Sequence, residues 1–332
     1  MNLIYLPNLR NKSFDTISHT VLSVLHALFK PYDVYMIFNA ANSLIVLPLR
    51  ILGKKIVINT DGLEWKRSKW GFGGKTFYKI SERIACLVAN RLISDSKGIK
   101  EYYKKIHKTE STEIAYGAYV KRCTKPKRIF KLGIKPNDYF LQITRFEPEN
   151  HPLLTIKAFK KIKTNKKLVL VGGNPYPNKY LKQIESELND NIILTGFIYD
   201  KDMLEELWYF CYAYIHGNSV GGTNPALLQS MAFACFTIAI GVSFNRDVMT
   251  DCGIYYKNEV SSLSRQMQWV LDNKEKLDEY KQKAQSRILE NYSWEKIADQ
   301  YEKLFYDVFN GKYPCRPALT QRIHLFLFPQ KR

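Results

Sequence analysis

Short apolar runs of four or five residues alternate along this chain with longer stretches in which apolar residues recur every three or four positions. The first kind predicts buried strands, the second amphipathic helices. In the first half the runs fall at 34–38, 55–59, 91–94 and 113–116, with helical stretches at 14–29, 41–52 and 75–90 between them. The rhythm resumes at 139–143, 167–171, 191–194, 213–215 and 236–240. From 261 onward the pattern is helical, and it ends in SWEKIADQYEKLFYDVF (293–309), where Ser293 and Lys296 flank a helix start. Strands alternating with helices predict an α/β protein with parallel sheets covered on both faces. The basic stretch KRCTKPKRIFKLGIKPND (121–138) has two prolines and no period, and reads as a linker between two doubly wound domains. Such sheets take ligands at the carboxyl ends of their strands.

Composition narrows the class. The 332 residues are 45% hydrophobic and 14% aromatic, which excludes a disordered chain. No apolar run reaches the length of a spanning helix, and MNLIYLPNLRNKS lacks the core and cleavage site of a signal peptide. These features predict a cytoplasmic protein. Six cysteines without a C-x-x-C pair, mostly in apolar stretches, read as reduced structural thiols.

The net charge of +19 is uneven, with 23 Lys/Arg against 9 Asp/Glu in residues 1–130 and 27 against 22 beyond. A basic first half suits nucleic acid, an anionic membrane or a phosphorylated substrate, or simply keeps the protein soluble. No motif of the usual nucleic-acid modules is present, and no G-x-G-x-x-G follows an early strand, which argues against nucleic acid and nicotinamide cofactors. The tail ALTQRIHLFLFPQKR (318–332) carries an apolar run, read as a strand or plug packed on the protein rather than a membrane contact.

The stretch HGNSVGGTNPALLQSMA (216–232) carries the chemistry. Two glycines let main-chain N–H groups approach a ligand, and the helix start behind them adds donors and partial positive charge. A phosphate fits that description. Arg145 in RFEPENH (145–151), also just past a strand, is placed to reach a diphosphate. In the first half, TDGLEWKRSKW (60–70) joins a strand to a helix. Asp200 and Asp202 mimic a metal-binding Asp-x-Asp pair but precede an amphipathic run, and read as helix-start residues. No metal site is expected.

RFEPENH, IHGNSVGGTNPALLQSMA and INTDGLEWKRSKWG, supported by LISDSKGIKEYY and IAYGAYV, together resemble bacterial glycosyltransferases of family 4, and most of all the rhamnosyltransferase branch of capsule and O-antigen synthesis. The likeness runs over roughly residues 1–310. It implies the GT-B fold, two Rossmann-like domains facing across a cleft: an acceptor domain at 1–124, a donor domain at 125–310 and a tail at 311–332. It also implies metal-independent, retaining transfer without a cofactor. The donor would be a nucleotide sugar such as dTDP-rhamnose, and the acceptor a lipid-linked saccharide at the cytoplasmic face of the membrane.

By the same resemblance, Arg145, Asn150, Ser219, Gly221, Gly222, Thr223, Asn224 and Gln229 bind the donor. Asp61, Glu64 and His216 face the reacting sugar, and Lys66, Arg67 and Lys69 form a basic acceptor face. Three departures stand out. Asn150 replaces a lysine, Gln229 replaces a glutamate that binds nucleoside hydroxyls, and the first strand–loop–helix unit with its glycine loop is missing, Gly53 being the first glycine. The alternative reading is therefore a shortened, catalytically impaired relative that binds a sugar nucleotide or a partner.

Overall fold

The computed structural model describes residues 2–9, 15–67, 70–123, 125–174 and 179–313. Ten strands among them form two sheets, and every strand pairing is parallel. By internal contacts the chain divides between Ile114 and Ala115, and the residues from Ala298 on belong with the first unit. The sequence reading sets the division at 124 and keeps the final helix in the second domain.

The first unit contains α1 (Asp15–Leu28), β1 (Tyr35–Phe38), α2 (Leu47–Ile51), β2 (Ile56–Asn59), α3 (Phe72–Val88), β3 (Arg91–Ser94), α4 (Lys97–His107) and β4 (Ser111–Glu113). Its sheet runs β1-β2-β3-β4. Ile56, Ile58 and Leu92 are buried there with Leu49, Ala85, Val88 and Ile99 from the covering helices. The helix expected over 41–52 is divided: a 3-10 turn (Ala40–Leu44) precedes α2, whose second residue is Pro48. Proline lacks an amide hydrogen and sits readily in a first turn, so it starts a helix here instead of continuing one. The strand expected at 113–116 starts two residues earlier and consists of three polar residues, because β4 pairs with β3 only as far as Ser94, opposite Glu113.

The second unit contains β5 (Tyr139–Ile143), α5 (Pro152–Phe159), β6 (Lys167–Val171), α6 (Lys179–Glu185), β7 (Ile192–Leu194), α7 (Lys201–Tyr209), β8 (Ala213–His216), α8 (Pro225–Ala232), β9 (Thr237–Ile240), α9 (Ser243–Met249), β10 (Ile254–Tyr256), α10 (Val260–Asp272) and α11 (Leu277–Asn291). The last helix, α12 (Trp294–Phe309), starts in this unit and continues into the first. Side chains alternate across the sheet as the strand period requires. Phe140, Leu168, Leu170, Ala213 and Ile215 pack on one face, while Tyr139, Leu141, Val169, Val171 and Tyr214 pack on the other.

The strand order is β10-β9-β8-β5-β6-β7. The chain therefore winds outward in one direction from β5 and returns to start the other half at β8. This reversal opens a crevice beyond the carboxyl ends of β5 and β8, the place where doubly wound sheets bind ligands. The sequence reading did not include β10, which pairs with β9 at the edge of the sheet. Asp200 caps α7, its carboxylate accepting from the Met203 amide, as a helix-start residue does. The apolar tail run lies outside the described residues.

Candidate functional site

Two loops flank the crevice of the second unit, residues 144–151 after β5 and residues 217–224 after β8. They are stitched together by backbone. The Glu149 carbonyl accepts from both the amide and the hydroxyl of Ser219, each at 2.9 Å. The Ser219 hydroxyl also lies 3.1 Å from Nε2 of His151. Gln142, buried on β5, donates Nε2 to the Asn150 carbonyl at 2.9 Å. Gly217 packs so closely that an added Cβ would sit 2.2 Å from that carbonyl oxygen. No other residue type fits there.

Within the first loop, Arg145 is exposed, while Glu149 and Asn150 are buried. The amide of Asn150, expected to face the donor, donates instead to the Arg145 carbonyl at 2.8 Å. It fixes the turn from which Arg145 projects. On the far side Asn174 donates to the Glu147 carboxylate, and the Phe146 amide to the Gly173 carbonyl. Gly172, at φ 128°, lets the Thr144 carbonyl lie where a Cβ would clash at 1.9 Å.

The second loop brings Gly221, Gly222, Thr223 and Asn224 to the start of α8. Gly221 has φ 142°, a conformation open to glycine. Asn224 caps the helix: its Oδ1 accepts from the Ala226 amide, and its carbonyl from the amides of Leu227 and Leu228. Pro225 brings no amide hydrogen. The helix therefore satisfies its own first-turn donors, so an anion here would be met by the amides of the loop itself. Gln229 is half-buried on α8, one turn further along.

His216 ends β8 and is fully buried. Burial holds its imidazole neutral, with its pKa pushed down to about 3, and the neighbouring Asn245 side chain opposes that shift only weakly. Asn245 in turn donates to the carbonyls of Asn218 and Ile240. The imidazole is thus shut off from solvent. Sequence reasoning missed the exposed pair Phe197 and Tyr199 beyond β7, whose rings stack at 6.4 Å. It also missed the linking roles of Glu149 and His151, although both stand inside RFEPENH.

A second cluster lies at the carboxyl ends of β1, β2 and β3 in the first unit. Asp61 takes φ 57°, and its Oδ2 accepts from Nδ2 of Asn39 at 3.3 Å, while its amide donates to Oδ1 of Asn59. Glu64 is buried and ion-paired with Arg67 at 2.5 Å, so Arg67 is already engaged by a carboxylate. Lys66 is exposed beside the Trp65 ring. Lys69 lies outside the described residues. Asp95, overlooked at the end of β3, is buried, and burial together with the Asp61 charge pushes its carboxyl up to about 7. Tyr78 on α3 is pushed up to about 12 by burial and by Glu64. Among the described residues no group of three or more His, Cys, Asp or Glu side chains is arranged to hold a metal.

Comparison with known proteins bears on both units. Residues 124–287 match the family model for glycosyl transferases group 1, and residues 26–119 match a domain of unknown function, DUF1972. No curated protein matches the sequence. Among solved structures, HepE from Anabaena, in complex with UDP, superposes with a TM-score of 0.74 at 15% identity, covering 90% of this chain and 84% of that one. Sucrose-phosphate synthase from Thermosynechococcus elongatus gives 0.79 at 16% identity, covering 92% and 81%. A glycosyltransferase from Rickettsia africae gives 0.67 at 13%, covering 92% and 84%. Over residues 124–287 the chain is therefore a glycosyl transferases group 1 domain, carried on a GT-B fold.

Proposed function

We propose that this protein is a glycosyltransferase that moves a hexosyl group, rhamnose from dTDP-rhamnose by sequence resemblance, from a nucleotide diphosphate to a lipid-linked saccharide of a surface polysaccharide. The observation that carries the reading is the pair of stitched loops at the strand-order reversal of a group 1 domain. The leaving diphosphate gathers negative charge as the sugar departs, and fixed donors in a dry site stabilise it best. In this reading Arg145 supplies a guanidinium, and the amides of residues 221–224 supply backbone donors. Asn150, Ser219 and His216 hold those groups in place. Gln229 accepts from the nucleoside sugar.

HepE is described with UDP, with UDP and glucose, and with UDP-glucose, which supports a nucleotide sugar as the ligand class. Asp61 would accept a hydrogen bond from the acceptor hydroxyl, with Glu64 holding Arg67 beside it. Transfer without a metal fits the donor set, because Arg145 and the loop amides supply the positive charge that a cation would otherwise bring. A thermal-shift panel of dTDP, UDP and GDP tests the reading, since a ligand that binds the folded state raises its melting temperature. A clear shift with one nucleotide is expected, followed by transfer or hydrolysis of its sugar conjugate. No shift with any of the three would overturn it.

The alternative, a binding protein without turnover, is favoured by Gln229, which replaces a charged acceptor with a neutral one. A nucleotide shift without any sugar release or transfer would select that reading.

A further inference from the structure

His151 joins two proline-led turns, and its backbone is held where few side chains go. It ends the 3-10 turn Pro148–Asn150 and precedes Pro152, the first residue of α5, with φ 55° and ψ 32°. A side chain at positive φ crowds its own backbone, and a following proline favours an extended conformation instead. Glycine is the residue that meets this geometry without strain. Nor does the histidine serve the helix it precedes, since its ring makes no capping hydrogen bond. Such a conformation persists where another part of the fold holds it.

The holding contact is on the second loop. The half-buried imidazole has Nε2 3.1 Å from the Ser219 hydroxyl. That hydroxyl donates its one hydrogen to the Glu149 carbonyl at 2.9 Å, because a carbonyl can only accept. Toward His151 the same oxygen is therefore an acceptor, and Nε2 carries the hydrogen between them. Burial lowers the imidazole pKa while the Glu149 carboxylate opposes the shift, so the ring at neutral pH is uncharged.

The histidine thus fixes which way the hydroxyl points. Without it the hydroxyl is free to turn toward water, and Ser219 keeps only its main-chain tie to the Glu149 carbonyl. Gly221 and Gly222, whose amides meet the diphosphate in the proposed function, stand two and three residues further on.

We propose that His151 is a positioning residue for the donor, its Nε2–H latching the Ser219 hydroxyl so that the glycine loop stands ready for a diphosphate. It acts through Ser219 and not on the ligand itself. This rests on the nucleotide-sugar site of the proposed function, whereas the latch can be read without any ligand.

The experiment compares His151→Gly, His151→Ala, Ser219→Ala and the double variant His151→Gly with Ser219→Ala. Glycine relieves the backbone while removing the latch, so His151→Gly should melt no lower than His151→Ala and still bind nucleotide more weakly than the parent. By calorimetric titration with the nucleotide that the thermal-shift panel selects, the loss should be about three- to tenfold, the scale of one hydrogen bond. The double variant should bind no more weakly than Ser219→Ala, because both substitutions remove one contact. Unchanged affinity in His151→Gly, or losses that multiply in the double variant, would overturn the latch.

Nitrogen-15 NMR of the histidine rings and amide exchange supply the arm without ligand. The His151 ring, identified by its absence from His151→Gly, should carry its hydrogen on Nε2 at neutral pH. The amides of residues 217–222 should exchange with solvent faster in His151→Gly than in the parent. A hydrogen on Nδ1, or exchange rates that do not move, would overturn the proposal. Faster exchange in His151→Gly, in a protein that binds none of dTDP, UDP and GDP, would instead uphold the latch and reject the nucleotide site.

Discussion

Asn150 donates its side-chain amide to the backbone carbonyl of Arg145 at 2.8 Å, while its own carbonyl accepts from Gln142 at 2.9 Å. One buried residue thus links the end of β5 to the turn that presents the exposed guanidinium. The two residues serve one site in different ways, and substitution separates them. Arg145→Ala should lower nucleotide-sugar affinity or turnover on the order of 100-fold with little change in melting temperature, the usual scale for losing a charged donor at a diphosphate. Asn150→Ala should cost about 1–2 kcal/mol of stability and weaken nucleotide binding with it, because the Arg145 carbonyl loses its donor while the Gln142 bond to the main-chain carbonyl of residue 150 remains. Calorimetric titration beside thermal unfolding distinguishes the two patterns. Full affinity in a folded Arg145→Ala protein would remove that residue from the site.

Gly217 is the tightest point between the two loops. A methyl group there meets the Asn150 oxygen at 2.2 Å and Nε2 of Gln142 at 3.0 Å. Gly217→Ala should therefore displace one loop from the other, at about 1–3 kcal/mol of stability, with loss of nucleotide binding. Gly221→Ala is a control of a different kind, since nothing lies within 4 Å of its added Cβ and only the backbone angle is strained. Urea unfolding of both variants should show the larger loss for Gly217→Ala.

How much of this was legible before the fold was known follows from physical range. β3, β5 and β6 have the predicted bounds, because continuous apolar runs bounded by polar residues mark buried parallel strands whatever surrounds them. The site loops were legible because glycine, proline and arginine at strand ends have few local uses. Pairing was not legible. Asp95 acquires its character first from burial in the fold and then from the charge of Asp61, 34 positions away, neither of which a local pattern encodes. The inward turn of Asn150 and the burial of His216 likewise depend on β5 and β8 being neighbours, although β6 and β7 separate them in sequence.

His216 and Asp95 should give the fold opposite pH dependences. An unfolded His216 protonates at about 6.5 and the folded one at about 3, so its contribution is present above 6.5 and is lost as pH falls below it. Asp95 is the reverse. Its folded value near 7 lies above the unfolded 3.8, so its contribution is complete below 3.8 and is lost as pH rises through 7. Each group acts with a slope of about 1.4 kcal/mol per pH unit inside its window. His216→Gln should flatten the acid limb of denaturant stability, and Asp95→Asn the limb between pH 4 and 7. Parallel stability curves for parent and variants would show that neither group is held as described.

Gln229 stands one turn into α8, half-buried, in a position where the resemblance expects glutamate. If the pocket still has room for a carboxylate, Gln229→Glu should tighten nucleotide binding by about 1 kcal/mol, the difference between a charged and a neutral acceptor. Equal or weaker affinity by calorimetric titration would mean that the pocket has adapted to the amide.

The final prediction concerns where the first unit works. None of the helices among the described residues is long and apolar enough to cross a membrane. Yet α3 presents Phe72, Phe77 and Ile80 to solvent, with Lys75 and Lys79 exposed between them. Apolar side chains interleaved with lysines on an outward helix suit the boundary of an anionic leaflet, where each lysine within a Debye length contributes about 1 kcal/mol. The excess of basic residues in the first 130 positions adds long-range attraction of the same sign. A lipid-linked acceptor would then be reached from a protein held reversibly at the surface. Co-sedimentation with vesicles of phosphatidylglycerol and phosphatidylcholine should show binding at low salt that declines as salt rises. Lys75→Glu with Lys79→Glu should weaken it by at least tenfold, while removal of residues 318–332 should leave it in place. Binding that ignores the two lysines and disappears with the tail would move the contact away from α3, and no binding at low salt would leave the basic half without a membrane role.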